Sequence, residues 1–144
     1  MSLAVVYSRA SLGTSAPLVT VEVHLSNGLP SFSIVGLAET AVKESRERVR
    51  SALKNSGFDF PTRRITVGLA PADLPKRGGR FDLPIALGIL VAAGQLSLEA
   101  LQDIEFLAEL GLGGELRPVD TILSAVVAAT AIGHTVALAP GDAV

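Results

Sequence analysis

The residues best suited to catalysis or to binding a charged ligand lie in one short loop. In this loop Lys76, Arg77 and Arg80 flank the pair Gly78-Gly79. Glycine frees the backbone to adopt positive φ, and three cations on such a backbone suit a phosphate or another anionic group. The same composition also occurs in ordinary surface turns. An active-site loop, a nucleic-acid contact and a solvated turn are therefore all open at this point.

A second set of cations lies on a predicted helix at residues 38–56, whose apolar residues recur at helical spacing. Its basic residues follow one another at intervals of three and four, so they share one face. Two further arginines precede the next predicted strand. The candidate residues for contact with DNA or a protein partner are therefore Lys43, Arg46, Arg50, Lys54, Arg63, Arg64, Lys76, Arg77 and Arg80.

The distribution of charge favours one cationic surface. The chain carries a net charge of −2, yet the segment from Lys43 to Arg80 holds ten of the twelve basic residues and four of the fourteen acidic ones. Such an asymmetry indicates an anionic partner, although a run of charges is more often a solvated face. Both interpretations stay open.

Motifs for catalysis are not found in the sequence. The glycines at 78–79 and 111–114 are not followed by Lys-Ser or Lys-Thr, so no P-loop is present, and neither HExxH nor GxSxG occurs. Cysteine is absent, which excludes thiolate metal sites. We interpret Asp82 and Asp120 as helix caps, and His24 and His134 as surface residues. The sequence thus predicts no catalytic residue, no cofactor site and no metal site.

The elements that position these residues follow the order βββαβαββαβ, which predicts an α+β domain with a mixed sheet covered by helices. The first three strands, at 3–8, 18–25 and 32–35, are expected to form a meander or hairpins. The helix that follows Asp82 is apolar nearly all round, so it is predicted to be buried. No segment is long and apolar enough to be a membrane span, and no signal peptide is predicted.

Three stretches carry a family resemblance: NGLPSFSIVGL with AETAVKESRERVRSAL, FPTRRITVGLAPADLPKRGGRFDLPIALGIL, and LAELGLGGELRPV. Together they resemble the N-terminal domain of the Mg-chelatase-like AAA+ ATPases of the YifB type, the competence protein ComM group. The resemblance covers essentially the whole chain. It implies a Lon-like N-terminal domain at 1–139 and, at 140–144, the start of a linker to an AAA+ module outside this chain.

The resemblance also implies a bacterial cytoplasmic protein that works as a homo-hexameric ring, with ATP and Mg bound in the ATPase module. Its implied activity is that of a DNA helicase acting in branch migration during natural transformation and recombination. The domain is further similar in fold to the proteolytic domain of Lon and the C-terminal domain of RadA, within the ribosomal protein S5 domain 2-like class.

The similarity to Lon can be compared residue by residue. Arg80 stands where Lon has its nucleophilic serine, and Leu123 follows the run at 118–122 where Lon has its lysine. A Ser-Lys dyad needs a hydroxyl and an amine within hydrogen-bond reach, so peptidase activity is not expected. We therefore expect a non-catalytic scaffold or DNA-contact domain. The alternatives are a subunit-packing or protein-interaction domain without DNA contact, and a role in magnesium insertion into a porphyrin.

Overall fold

The computed structural model describes residues 2–74, 76 and 79–140. Within them the helices are α1 (Glu39–Asn55), α2 (Asp82–Ala92) and α3 (Leu123–Ala131), and a 3₁₀ turn occupies Leu98–Leu101. The strands are β1 (Ser2–Arg9), β2 (Leu18–Ser26), β3 (Ser31–Val35), β4 (Arg64–Ala70), β5 (Ile104–Leu107), β6 (Glu109–Leu110), β7 (Leu116–Arg117) and β8 (Thr135–Leu138). The predicted α+β class with a mixed sheet is confirmed. The predicted site residue Arg77 and most of the predicted linker at 140–144 lie outside the described residues.

Six strands form the main sheet in the order β3-β4-β2-β1-β5-β8. The β1–β2 and β2–β4 pairs are antiparallel, whereas β3–β4, β1–β5 and β5–β8 are parallel. On β2, Val19, Val21, Val23 and Leu25 are all fully buried. This alternation places one face of the sheet against the helices, because successive strand residues point to opposite faces.

The predicted meander of the first three strands is only half right. β1 and β2 do form an antiparallel pair, but β3 pairs with β4, which lies between β2 and β3. The helix α1 connects β3 to β4, so these elements form a βαβ unit whose two strands are parallel neighbours. The turn at Asn27-Gly28 therefore belongs to a connection that leaves β2, passes β4 and reaches β3 at the edge of the sheet.

The helices cover opposite faces of the sheet. α1 and α2 pack on the main core, with Val42 and Val49 of α1 and Ile85 and Ile89 of α2 buried, so the predicted burial of α2 is confirmed. α3 instead packs on a smaller cluster that contains Ala16, Leu107 and Ala125. Glu105 is opposite Tyr7 in the register, and Leu107 points to the same side as Glu105, away from α1 and α2.

Two predicted caps are wrong, and one predicted strand is divided. Asp82 is the first residue of α2, after Phe81, and its carboxylate points into the core. Asp120 lies two positions before Ile122, the N-cap of α3, and accepts a 3.2 Å hydrogen bond from the Thr121 hydroxyl. The strand expected at 106–110 is interrupted at Ala108, whose backbone N–H donates to the Arg80 carbonyl at 3.3 Å, outside the sheet.

Candidate functional site

The two described cations of the loop before α2, Lys76 and Arg80, both form hydrogen bonds within the protein. Arg80 is only 5% exposed, and its Nη1 donates to the Thr121 hydroxyl at 3.3 Å. Lys76 is half-buried, its Nζ donates to the Leu74 carbonyl at 3.0 Å, and burial lowers its pKa. Lys76 is therefore folded back on its own loop, and Arg80 is directed into the protein toward Thr121.

A cleft of about 290 Å³ opens beside this loop. Its lining combines one guanidinium, from Arg80, with two carboxylates, from Glu109 and Asp120. Gly79 lies in the same lining and packs closely against the Glu109 side chain. Because carboxylates outnumber the cation among the described lining residues, this part of the cleft is poorly suited to a polyanion such as a nucleic-acid backbone. The remaining lining residues are Ser11, Pro118 and Val119.

A buried carboxylate joins α1 to α2. Asp82 accepts hydrogen bonds from Ser45 Oγ at 2.7 Å, from Arg48 Nε at 2.6 Å and from the Leu110 N–H at 3.2 Å. Burial raises the pKa of Asp82, although these three donors oppose the rise, and the hydrogen bond to Asp82 raises the pKa of Arg48. Arg48 is therefore held against the core and does not form the surface pair with Glu44 that helical spacing predicts.

This buried contact fixes how α1 is rotated, because Ser45, Arg48 and Asp82 hold one side of the helix against α2. The side that faces away carries four of the predicted cations, Lys43, Arg46, Arg50 and Lys54. Sequence reasoning missed Asp82 as an ion-pair partner. The available signal was an acidic residue at the start of an otherwise apolar helix, together with Ser45 and Arg48 spaced three apart.

Two arginines of α1 reach over β3, the strand at one edge of the sheet. Arg46 Nη1 donates to the Phe32 carbonyl at 2.9 Å, which covers part of the strand's outer side. The Arg50 guanidinium lies 5.9 Å from the Phe32 ring centre and 5.5 Å from that of Phe60, within cation–π range. The aromatic rings thus hold Arg50 in place, a contact that the sequence pattern did not predict.

Two more arginines meet β3 from β4. Arg64 is opposite Ser31 in the register, and the Arg63 carbonyl accepts from the Ser31 N–H at 3.3 Å. The Arg64 side chain lies next to Gly28. We call the resulting set the basic edge; it consists of Lys43, Arg46, Arg50, Lys54, Arg63 and Arg64.

Eight of the nine predicted contact residues lie in the described parts of the chain, and they fall into separate places. Six form the basic edge, of which Lys43, Lys54 and Arg64 are exposed and the other three half-buried. Lys76 and Arg80 lie at the loop before α2, where Arg80 is buried. Arg50 is also 3.8 Å from Glu47, a weak surface pair that leaves the local charge positive.

A further charged cluster is centred on Glu105, where β1, β5 and the start of β8 meet. Glu105 is fully buried and accepts from Arg9 Nε at 2.6 Å and Arg9 Nη2 at 3.0 Å, and His134 Nδ1 lies 2.8 Å from its Oε2. The prediction that His134 is a surface residue is wrong, since its side chain is 19% exposed. The cluster connects β1, β5 and the residue before β8, because the chain brings these three segments together at that edge.

The described residues contain no group of three or more His, Cys, Asp or Glu side chains that could hold a metal ion. Across the same ranges, no helix combines the length and the apolar character needed to cross a bilayer.

Comparison with known proteins identifies the family. The family model described as subunit ChlI of Mg-chelatase matches residues 21–143. Competence protein ComM of Haemophilus influenzae is 64% identical over 129 residues, which is 90% of this chain and 25% of the relative. YifB of Salmonella typhimurium is 52% identical over 143 residues, or 99% of this chain and 28% of the relative, and YifB of Escherichia coli is 52% identical over 139 residues. This chain spans about a quarter of the length of these relatives, and it belongs to the Mg-chelatase ChlI-like family.

Proposed function

We propose that this chain is a non-catalytic N-terminal domain of a Mg-chelatase-like AAA+ ATPase and that its basic edge contacts the DNA backbone. The observation that carries the proposal is the gathering of six cations around one edge strand. α1 supplies four of them, Arg64 begins β4, and Arg63 directly precedes that strand. A cationic strip of this kind attracts phosphates whatever the base sequence.

The contacts of the basic edge favour backbone recognition over base recognition. Phe32, whose ring lies under Arg50, is 5% exposed, so it is not available to stack on a base. The three exposed cations, Lys43, Lys54 and Arg64, are long and flexible, and they suit phosphate groups at variable positions. Arg80 is the candidate least able to reach DNA, because it is buried beside two carboxylates.

In the whole protein, we propose that this domain works with an AAA+ module that binds ATP and Mg and lies outside this chain. The proposed assembly is a homo-hexameric ring that acts as a DNA helicase in branch migration during natural transformation and recombination. The 64% identity to a competence protein supports this proposal. The proposed fold class is the ribosomal protein S5 domain 2-like, or Lon-like, class, and the proposed compartment is the cytoplasm.

The experiment is fluorescence anisotropy of labelled duplex, single-stranded and four-way-junction DNA, titrated with this chain at several salt concentrations. We expect log affinity to fall linearly with log salt, with a slope of about −0.9 for each duplex phosphate contacted. The triple variant Lys43→Glu, Lys54→Glu, Arg64→Glu should weaken binding and reduce the slope by roughly 2 to 3, since three contacts are removed.

The matched control is Arg117→Glu, which reverses an exposed cation on β7, outside the basic edge. It should leave both the affinity and the salt slope close to those of the unmodified chain. If no DNA binds at low salt, or if the triple variant binds as the unmodified chain does, the basic edge is not a DNA contact.

Two other functions are kept as alternatives. Packing against a neighbouring subunit is favoured by the apolar residues that α3 exposes, and it predicts self-association of the domain in place of DNA affinity. Participation in magnesium insertion into a porphyrin is suggested by the family description. The described residues offer no group of metal ligands to support it.

A further inference from the structure

The helix α3 exposes large apolar side chains to solvent. Leu123 is 76% exposed and Val127 is 62% exposed, and Ile132, just after the helix, is 56% exposed. The sequence from Thr121 to Pro140 contains no Asp, Glu, Lys or Arg. An amphipathic surface helix would carry charges on its outer face, so an exposed apolar face indicates a docking site.

A groove runs beside this face. It measures about 790 Å³ and lies between the β1–β2 turn and the first half of α3. The turn supplies small residues, which allow another chain to approach closely. The lining residues are Gly13, Thr14, Ser15, Ala16, Pro17, Thr121, Leu123, Ser124, Val127 and Ala128.

The last strand, β8, ends close to this groove. Only Ile132–His134 separate α3 from β8, so the two elements run antiparallel and the end of β8 lies beside the start of α3. Leu138, the last residue of β8, packs on the cluster that contains Ala125 of α3. The last residues of β8 therefore lie next to the groove.

We propose that this groove is the docking site for the segment of the full-length protein that follows Val144. About three quarters of each relative lies outside the matched region, and the inference rests on the proposed function in placing the ATPase module after this domain. The uncharged surface calls for an occupant that presents apolar side chains, and the adjacent continuation is held there at high effective concentration. The inference does not depend on DNA binding by the basic edge, so the two proposals fail separately.

The experiment measures thiol labelling of Val127→Cys in the full-length protein and in the 144-residue chain. The chain has no cysteine of its own, so the introduced thiol is its single target, and mass spectrometry identifies the site in the full-length protein. We expect labelling to be slower by about tenfold or more in the full-length protein. The matched control is Leu29→Cys, a residue 85% exposed beside β3 at the other edge of the sheet, which should label equally fast in both.

Three results would overturn the proposal. Equal labelling of Val127→Cys in the two proteins would show that the groove is open in the full-length protein. Labelling that slows as the concentration of the 144-residue chain rises would assign the groove to a second copy. Protection in the full-length protein that disappears on dilution would assign it to a neighbouring subunit.

Discussion

At the scale of residues, two buried carboxylates determine much of the architecture. Asp82 connects α2 to α1 through Ser45 and Arg48, and Glu105 connects β5 to β1 and to the start of β8 through Arg9 and His134. A buried charge is tolerated only when its partners are well placed, so each cluster makes one packing arrangement favourable over others. The basic edge depends indirectly on Asp82, because that residue sets the rotation of α1.

Replacing Asp82 by Ala should lower the free energy of unfolding by about 3 kcal/mol, because Ser45, Arg48 and the Leu110 N–H would lose their shared buried acceptor. Asp59→Ala is the matched control: it makes the same chemical change at an exposed position whose backbone, through N–H and C=O, binds Gln95. Urea denaturation followed by circular dichroism measures both. A loss no larger than that of the control would show that Asp82 is not a structural anchor.

The pH dependence of the same pair of proteins gives the sign of the Asp82 contribution. Burial raises its folded pKa above the usual 3.8, so the folded state binds the proton more tightly than the unfolded state. The stability of the unmodified chain relative to Asp82→Ala should therefore fall as pH rises from about 4 toward the folded pKa, then level off. A relative stability that rises over this range would mean that the Arg48 pair outweighs burial.

At the scale of elements, the close approach of α2 to the sheet explains a glycine in a helix. A Cβ atom on Gly88 would lie 2.5 Å from Val23 Cγ2 and 3.6 Å from Val6 Cγ2, so the helix packs directly on β1 and β2 at this point. Helix propensity alone would favour alanine at this position. The absence of a side chain at Gly88 therefore lets α2 lie close to the strands, and this close contact fixes the distance between them.

The variant Gly88→Ala should lower the free energy of unfolding by about 1–3 kcal/mol, because the added methyl group would displace Val23. The control is Gly68→Ala on β4, where the nearest atom to an added Cβ is Glu22 Oε1 at 3.9 Å. Since glycine weakens a strand interior by roughly 0.5–1 kcal/mol, the control should be neutral or slightly stabilising. Thermal denaturation of the two variants provides the comparison, and a stabilised Gly88→Ala would contradict the packing argument.

At the scale of the whole molecule, the two proposed contact surfaces lie at opposite edges of the main sheet. The basic edge surrounds β3, whereas α3 packs beside β8 at the other edge, with four strands between β3 and β8, and the groove runs from α3 to the turn between β1 and β2. Five strand spacings of about 4.8 Å separate these edges by roughly 24 Å. That distance exceeds two Debye lengths of about 8 Å at physiological salt, so the surfaces are electrostatically independent. The two proposed contacts can therefore form at the same time.

This independence predicts the outcome of crossing the two sets of variants. Val127→Asp should leave the DNA affinity and its salt slope unchanged, because the added charge is screened from the basic edge. The Lys43, Lys54, Arg64 triple variant should likewise leave the labelling rate of Val127→Cys unchanged in the full-length protein. Anisotropy and thiol labelling are the respective measurements. A change in either would show that the two edges are coupled through the sheet or share a partner.

The amino-acid sequence by itself determined the elements and much of their burial. The apolar stripe of α1, the apolar α2 and the alternation from Val19 to Leu25 can all be recognised from the spacing of apolar residues. That spacing is a property of each segment alone, so the sequence shows it directly. The long motifs also indicated the family, and the matching family model confirmed it. The grouping of cations between Lys43 and Arg80 was visible in the same way.

Only the tertiary structure decided which of these residues meet. Arg48 and Asp82 are 34 residues apart, and Arg9 and Glu105 are 96 apart, so no local pattern relates them. The insertion of β4 beside β3 likewise depends on the path of the whole chain, as does the separation of the eight described cations into an edge and a loop. The physical reason is that periodicity fixes the face of an element, whereas the partner of that face is chosen by packing among all the elements together.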